Sequence, residues 1–232
     1  MPRVTLSFDN GPDKDITPRV LEILARHGIK SCFFVLGRKL ADPFLRKQAE
    51  RAHAEGHWIG NHTWSHETPL GRLDGDDVPE REIAATQREI GSLAHPRRWF
   101  RPFGGGGKIG PWLLSEAARD HLIAGGYSMV LWNSIPRDWE DADGWVERAL
   151  DHCAAQPWTL VVLHDHIPNA AQYLDRFIGA LKDRGAELRQ DFPEDCVPIR
   201  DGRPALPRKP VTFAVSVTRC QLSSDMFILT MT

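Results

Sequence analysis

The sequence predicts an α/β domain of repeated strand–helix units wrapped around a parallel sheet or barrel, and three observations predict it. Short apolar runs alternate with longer segments of helical period along almost the whole chain. The runs number seven, each short enough to be a strand. The 232 residues, 41% hydrophobic and 26% charged, suffice for one sizeable core and fit one domain more easily than two.

The first run, residues 3–9, opens the chain as a strand and ends in Asp9-Asn10-Gly11-Pro12, a turn sequence. A helix is predicted over 17–27, with Thr17-Pro18 read as an N-cap followed by proline at the first helical position and Gly28 as the stop. Strands at 31–36 and 58–61 enclose a helix at 43–55, and a helix at 78–93 leads to a strand at 99–103. The remaining units pair helices at 111–124, 142–154 and 170–184 with strands at 128–133, 159–164 and 187–190, and Gly185 stops the last helix. From Asp191 the composition turns proline-rich and charged, unable to hold a helix or a central strand, which reads as a surface wrap or linker. The expected division is therefore a catalytic barrel over 1–190 and an extension over 191–232, whose final segment, 211–232, is strand-like without a place in the alternation.

A formal net charge of -2 gives no nucleic-acid footprint, and no run is long enough to span a membrane, so the expected partner is a small or neutral molecule. The start, MPRVTLSFDNGP, has none of the marks of a secretion signal, and the expected location is the cytoplasm. Cys32, Cys153, Cys196 and Cys220 are scattered without a CxxC pair, which argues against thiolate zinc and a disulfide framework.

The polar clusters carry the functional signal through their positions. SFDNGP, NHTWSH, FRPFGG and LHDH follow the first, third, fourth and sixth runs, each at a carboxyl end, where barrel loops build active sites. His62 and His66, four apart, would share one face of a helical turn and suit a divalent cation such as zinc; alone, the pair reads more readily as capping or surface histidines, and carboxylates nearby reverse that order. His53 and His57 share that spacing but precede their strand, at the opposite end, and read as structural. Asp9 could activate a metal-bound water as general base, or simply cap its own turn. Arg101 could orient a carboxylate while backbone N–H groups of its glycine-rich turn meet an oxyanion, and His164 could protonate a leaving amine. Trp64, Trp132 and Trp139 could stack on sugar faces or serve packing.

Taken together, SFDNGP, HTWSH, FRPFGG, RDW and LHD resemble, in order and spacing, the motifs of the polysaccharide deacetylase (NodB-like) family over about residues 1–190. The resemblance implies a distorted seven-stranded (β/α) barrel and a metal-assisted hydrolase removing N-acyl groups, N-acetyl first, from a carbohydrate or small N-acyl substrate. It implies Asp9 as base, His164 as acid, Arg101 as the residue fixing the base and Asp138 in the surrounding charge network. The backbone N–H near Phe103 or Gly104 would help form the oxyanion hole, Trp139 would line the cleft, and Asn10, His62 and His66 would hold a divalent metal, Zn2+ first. Two positions depart from the family pattern. Asn10 stands where relatives carry a second aspartate, removing a negative charge from the ligand set and weakening metal binding, and Ile135 stands where many carry an acid. These departures leave open a barrel that binds its ligand without turning it over.

Overall fold

In the computed structural model, residues 2–104, 108–141 and 143–205 are described; Cys220 and the strand-like segment 211–232 lie outside them. Seven parallel strands follow the predicted order: β1 (Arg3–Asp9), β2 (Cys32–Val35), β3 (Trp58–Asn61), β4 (Trp99–Phe100), β5 (Ser128–Met129), β6 (Trp158–His164) and β7 (Glu187–Arg189). The sheet runs β6-β1-β2-β3-β4-β5, and Ser134 closes it into a distorted barrel by bridging to Val161 of β6. β6 pairs with β1 along its whole length. The other edge of β1 is shared, with β7 against Arg3–Thr5 and β2 against Ser7–Asp9.

Both faces of the strands are buried, which is why they read as near-continuous apolar runs. Val4, Leu6 and Phe8 point outward into a core with α1 (Ile16–His27), α3 (Pro43–Ala54), α6 (Gly144–Ala154) and α7 (Pro168–Asp183). Each such buried side chain contributes about 1.5–3 kcal/mol. The inward rows supply Cys32, Phe34, Trp99, Val130, Trp132, Leu160 and Val162, while β1 turns the polar Thr5, Ser7 and Asp9 inward. Past residue 190 the chain remains with the barrel. Phe192, Cys196 and Val197 join the interior cluster at the amino end, and β8 (Ile199–Arg200) pairs antiparallel with β5 and with β9 (Arg203–Pro204).

The structure corrects several local readings. Helix α1 starts at Ile16 after Asp15, so Thr17 is not its N-cap; Asp13 Oδ1 accepts from the Asp15 and Ile16 N–H groups instead, at 2.8 Å each. The Thr17 hydroxyl is committed to the Asp165 carboxylate, 2.6 Å away. Gly28 does end the helix, at φ 68° in the left-handed region that glycine adopts without strain. The segment 78–93 is not one regular helix: a π-helical turn, Pro79–Ala84, runs into α4 (Ala85–Ile90) and a 3-10 turn. α5 is Glu116–Ala124, capped by Ser115 Oγ, which accepts from the Ala118 N–H at 3.2 Å. A four-residue helix, α2 (Gly37–Leu40), was not foreseen. No helix among the described residues is long and apolar enough to cross a membrane.

Candidate active site

Strand register brings the predicted residues to one end of the barrel. Asp9 lies opposite His164 on β6 and Phe34 on β2, and Asn61, just before His62, lies opposite Phe100, just before Arg101. Asp9, His62, Arg101, Asp138 and His164 are all buried.

Arg101 is enclosed within the barrel. Its Nη1 donates to Asp9 Oδ1 at 2.7 Å and to Ser7 Oγ at 2.8 Å, and its guanidinium carbon lies 3.9 Å from the centre of the Phe34 ring. Burial pushes the Asp9 pKa up, but the charge and hydrogen bond of Arg101, with the charge of His164 behind it, outweigh that, so the carboxyl sits below its ordinary value and is ionised. Arg101 Nε is buried without a partner among the described residues, while Ile135, at the position of the missing acid, packs with the apolar cluster of the barrel interior.

His164 is held in two places by Asp138, whose Oδ1 lies 2.7 Å from the ring Nδ1 and whose Oδ2 accepts from the His164 main-chain N–H at 2.8 Å. This pairing leaves Nε2 as the free ring nitrogen. Burial lowers the imidazole pKa, yet the hydrogen bond and negative charge of Asp138, with Asp9 and Asp165 beyond, raise it above the ordinary histidine value. Trp139, 43% exposed, meets the His164 ring edge-on at 5.0 Å and forms the rim of the site.

His62 and His66 come together, but not on a helix. HTWSH is an irregular loop in which Thr63 and His66 take left-handed φ values of 69° and 55°, and it sets the two rings 4.9 Å apart. His62 Nδ1 lies 2.8 Å from the Arg101 carbonyl, which makes Nδ1 the donor and turns the lone pair of Nε2 inward, 3.5 Å from Asp9 Oδ2. Burial lowers both pKa values, at His62 against the opposing charge of Asp9 and at His66 to about 3, so both rings are neutral. Asn10, at φ 73°, has a buried Oδ1 with no partner among the described residues. Among the described residues no three His, Cys, Asp or Glu side chains are grouped to hold a metal. Two neutral imidazoles and a buried amide oxygen are nevertheless the ligand chemistry that a divalent cation takes, with one carboxylate fewer than such a site can carry.

The Phe103 ring lies against His66, tilted by 42° with ring centres 3.9 Å apart, and Gly104 adopts φ 89°. Their main-chain N–H groups donate to nothing among the described residues. Trp132 is a buried packing residue inside the barrel, while Trp64 is half-buried beside Gly37.

Three contributors were missed by reading the sequence. Ser7 stands two residues before Asp9, and strand period alone places it on the same inward face. Asp165 binds Thr17 and occupies the space that a Cβ at Gly11 would need, so it ties the sixth loop to the first. Glu82 receives the Trp64 and Ser65 N–H groups at 3.1 and 3.0 Å and the Ser65 hydroxyl at 2.9 Å. Nothing in the sequence marks this glutamate among its charged neighbours.

Residues 1–118 match the sequence profile described as polysaccharide deacetylase. A chitooligosaccharide deacetylase of Rhizobium leguminosarum bv. trifolii is 34% identical over 174 residues, 71% of this chain and 72% of that protein. The chain belongs to the polysaccharide deacetylase family. It is accordingly a hydrolase of carbon–nitrogen bonds other than peptide bonds. Among solved polysaccharide deacetylases, the Bc1960 peptidoglycan N-acetylglucosamine deacetylase superposes with a TM-score of 0.69 at 28% identity, covering 81% of this chain and 85% of that one. A mutant of BA3943, a family pseudoenzyme with restored activity, superposes at TM-score 0.66 and 25% identity, over 80% of this chain and 64% of that one. The distorted barrel expected from the motifs is thus the fold of the family.

Proposed function

We propose that this chain removes N-acetyl groups from amino sugars of a carbohydrate, with chito-oligosaccharides the first substrate class to test. The observation that carries the reading is the facing pair on β1 and β6: an ionised Asp9 fixed by Arg101, and a His164 of raised proton affinity fixed by Asp138. One is built to take a proton and the other to give one, the division of labour that amide hydrolysis requires. Family members are metalloenzymes. A divalent cation, Zn2+ by preference, held by His62, His66 and Asn10, would supply Lewis acidity toward the acyl oxygen.

Asp9 Oδ2, the oxygen not taken by Arg101, accepts a proton from the attacking water. The N–H groups of Phe103 and Gly104, without a partner among the described residues, donate to the carbonyl oxygen as charge develops on it. His164 donates from Nε2 to the departing amine, and Asp138 keeps the ring in that tautomer while stabilising its charge. Trp139, apolar and exposed beside His164, offers a face to a sugar ring. The names of the chitooligosaccharide and peptidoglycan deacetylases among the relatives support this substrate class.

The test is acetate release from chito-oligosaccharides, with small N-acyl amides assayed beside them and bound metal measured by mass spectrometry. The proposed mechanism fails if His62→Ala or His164→Ala leaves turnover intact.

A second reading, ligand binding without turnover, is favoured by one observation: the third member of the donor set is the amide of Asn10. That a BA3943 mutant is a pseudoenzyme with activity restored makes this reading concrete. Asn10→Asp separates the two. A large gain in both metal affinity and turnover supports decay, and a loss supports an asparagine tuned to this enzyme.

A further inference from the structure

Glu82 is a buried carboxylate, 4% exposed, whose partners among the described residues are two main-chain N–H groups and a hydroxyl rather than a cationic side chain. A buried negative charge without a cation is costly unless donors surround it. Its donors are all in one place: the Trp64 and Ser65 N–H groups and the Ser65 hydroxyl, the centre of the loop that carries His62 and His66. The carboxylate reaches them from the π-helical turn Pro79–Ala84, and the Glu82 carbonyl accepts from Thr86 Oγ1 at 2.9 Å. π-Helical turns recur where a side chain must be re-aimed for function.

The opposite side of the loop is fixed as well. The Thr63 and Trp64 carbonyls accept from the Gly37 and Arg38 N–H groups at 3.0 and 3.3 Å, where α2 begins. Gly37 leaves room for this approach, since a Cβ there would collide with Trp64 and Thr86. Between these clamps Thr63 and His66 hold left-handed backbone, a conformation costing about 1–3 kcal/mol at each non-glycine residue unless its surroundings enforce it.

We infer that Glu82 is a positioning residue for the metal-ligating loop, holding the Trp64-Ser65 backbone so that His66 is presented beside His62. The inference rests on the metal reading of the two histidines. Its subject is the shape of the loop, because the Glu82 carboxylate bonds to the loop backbone and the Ser65 hydroxyl and to neither ring.

The experiment measures Zn2+ affinity of the full chain by competition with a chromophoric chelator, alongside thermal unfolding of the metal-free protein. Glu82→Ala orphans two N–H groups and is expected to weaken Zn2+ binding about 10–100-fold, the range typical of residues that orient ligands. Glu82→Gln, near-isosteric and able to accept through one oxygen, keeps the fold and should bind Zn2+ between the two. Glu80→Ala, which removes an exposed partner of Arg88 from the same turn, should leave affinity unchanged. Zn2+ affinity within twofold of the unmodified chain in both Glu82 variants overturns the inference while leaving the metal reading intact. An unmodified chain that takes up no Zn2+ overturns both.

Discussion

The two ends of the barrel are built from similar side chains and do different things. At the amino end, Trp58, His95, Trp99 and Phe192 form an aromatic floor, with the His95 ring 4.5 Å from Trp58 and Phe192 edge-on to Trp99 at 4.9 Å. His57, just before β3 at this same end, meets Phe33 of the outer core edge-on at 5.3 Å; its Nδ1 accepts from the Ser31 N–H at 3.0 Å, and burial pushes its pKa down to about 4. The carboxyl end also gathers histidines and aromatics, but there Asp9 and Asp138 are buried among them. HAEGH and HTWSH have the same spacing; only the second lies among buried carboxylates and a buried guanidinium. Histidine spacing alone therefore does not define a site. Buried charge beside the imidazoles does, because it sets which ring is neutral and which is protonated.

The sharpest way to break this contrast is at Asp9. Asp9→Asn preserves shape and removes the base, so acetate release should fall about 100- to 10,000-fold, with circular dichroism unchanged. A smaller loss would move the base elsewhere. Next comes Arg101→Met, which leaves Asp9 buried and unpaired and should cost about 3–5 kcal/mol in urea unfolding. Phe192→Ala at the floor should also cost about 3–5 kcal/mol, through its cavity, yet leave the shape of the pH–rate profile unmoved. If Phe192→Ala moves that profile, the two ends are coupled and the contrast fails.

Asp138→Asn has a smaller but more diagnostic effect. The acid works while His164 is protonated, so turnover falls as pH rises through its pKa, which Asp138 helps hold above 6.5. The substitution should draw the alkaline limb of the profile toward lower pH and reduce the maximal rate; an unshifted limb would mean another group is the acid. The smallest expected effect is at His57. Its folded pKa is depressed from 6.5 to about 4, so between those values the unfolded chain binds more protons and stability declines as pH falls. His57→Gln should flatten that decline, as read from urea midpoints across the same window.

The barrel was legible because each strand is short, apolar and followed by a helical period, and Arg3–Asp9, Trp58–Asn61 and the start of Ser128–Met129 fall where the runs predict. The run at 128–133 outlasts its strand because its backbone leaves the ladder: the Val130 N–H still donates to Phe100 of β4, but the Leu131 and Ser134 N–H groups go to the Cys196 and Leu160 carbonyls. Proline and charge past residue 190 hid Phe192 and Cys196, whose burial depends on partners far away in sequence. At the site, Asp9, Arg101 and His164 were readable from strand ends. The shape of HTWSH was not, since its left-handed Thr63 and His66 answer to Glu82 and Gly37, contacts that no local pattern encodes.

The divided edge of β1 bears on how such a chain can change over generations. Over Ser7–Asp9 the strand is laced to β2 and β6 at once, whereas over Arg3–Thr5 its second neighbour is β7, near the end of the fold. Sequence drift in β7 meets only the lower half of β1, away from the carboxylate. β7 is thereby free to vary without touching the strand segment that carries Asp9.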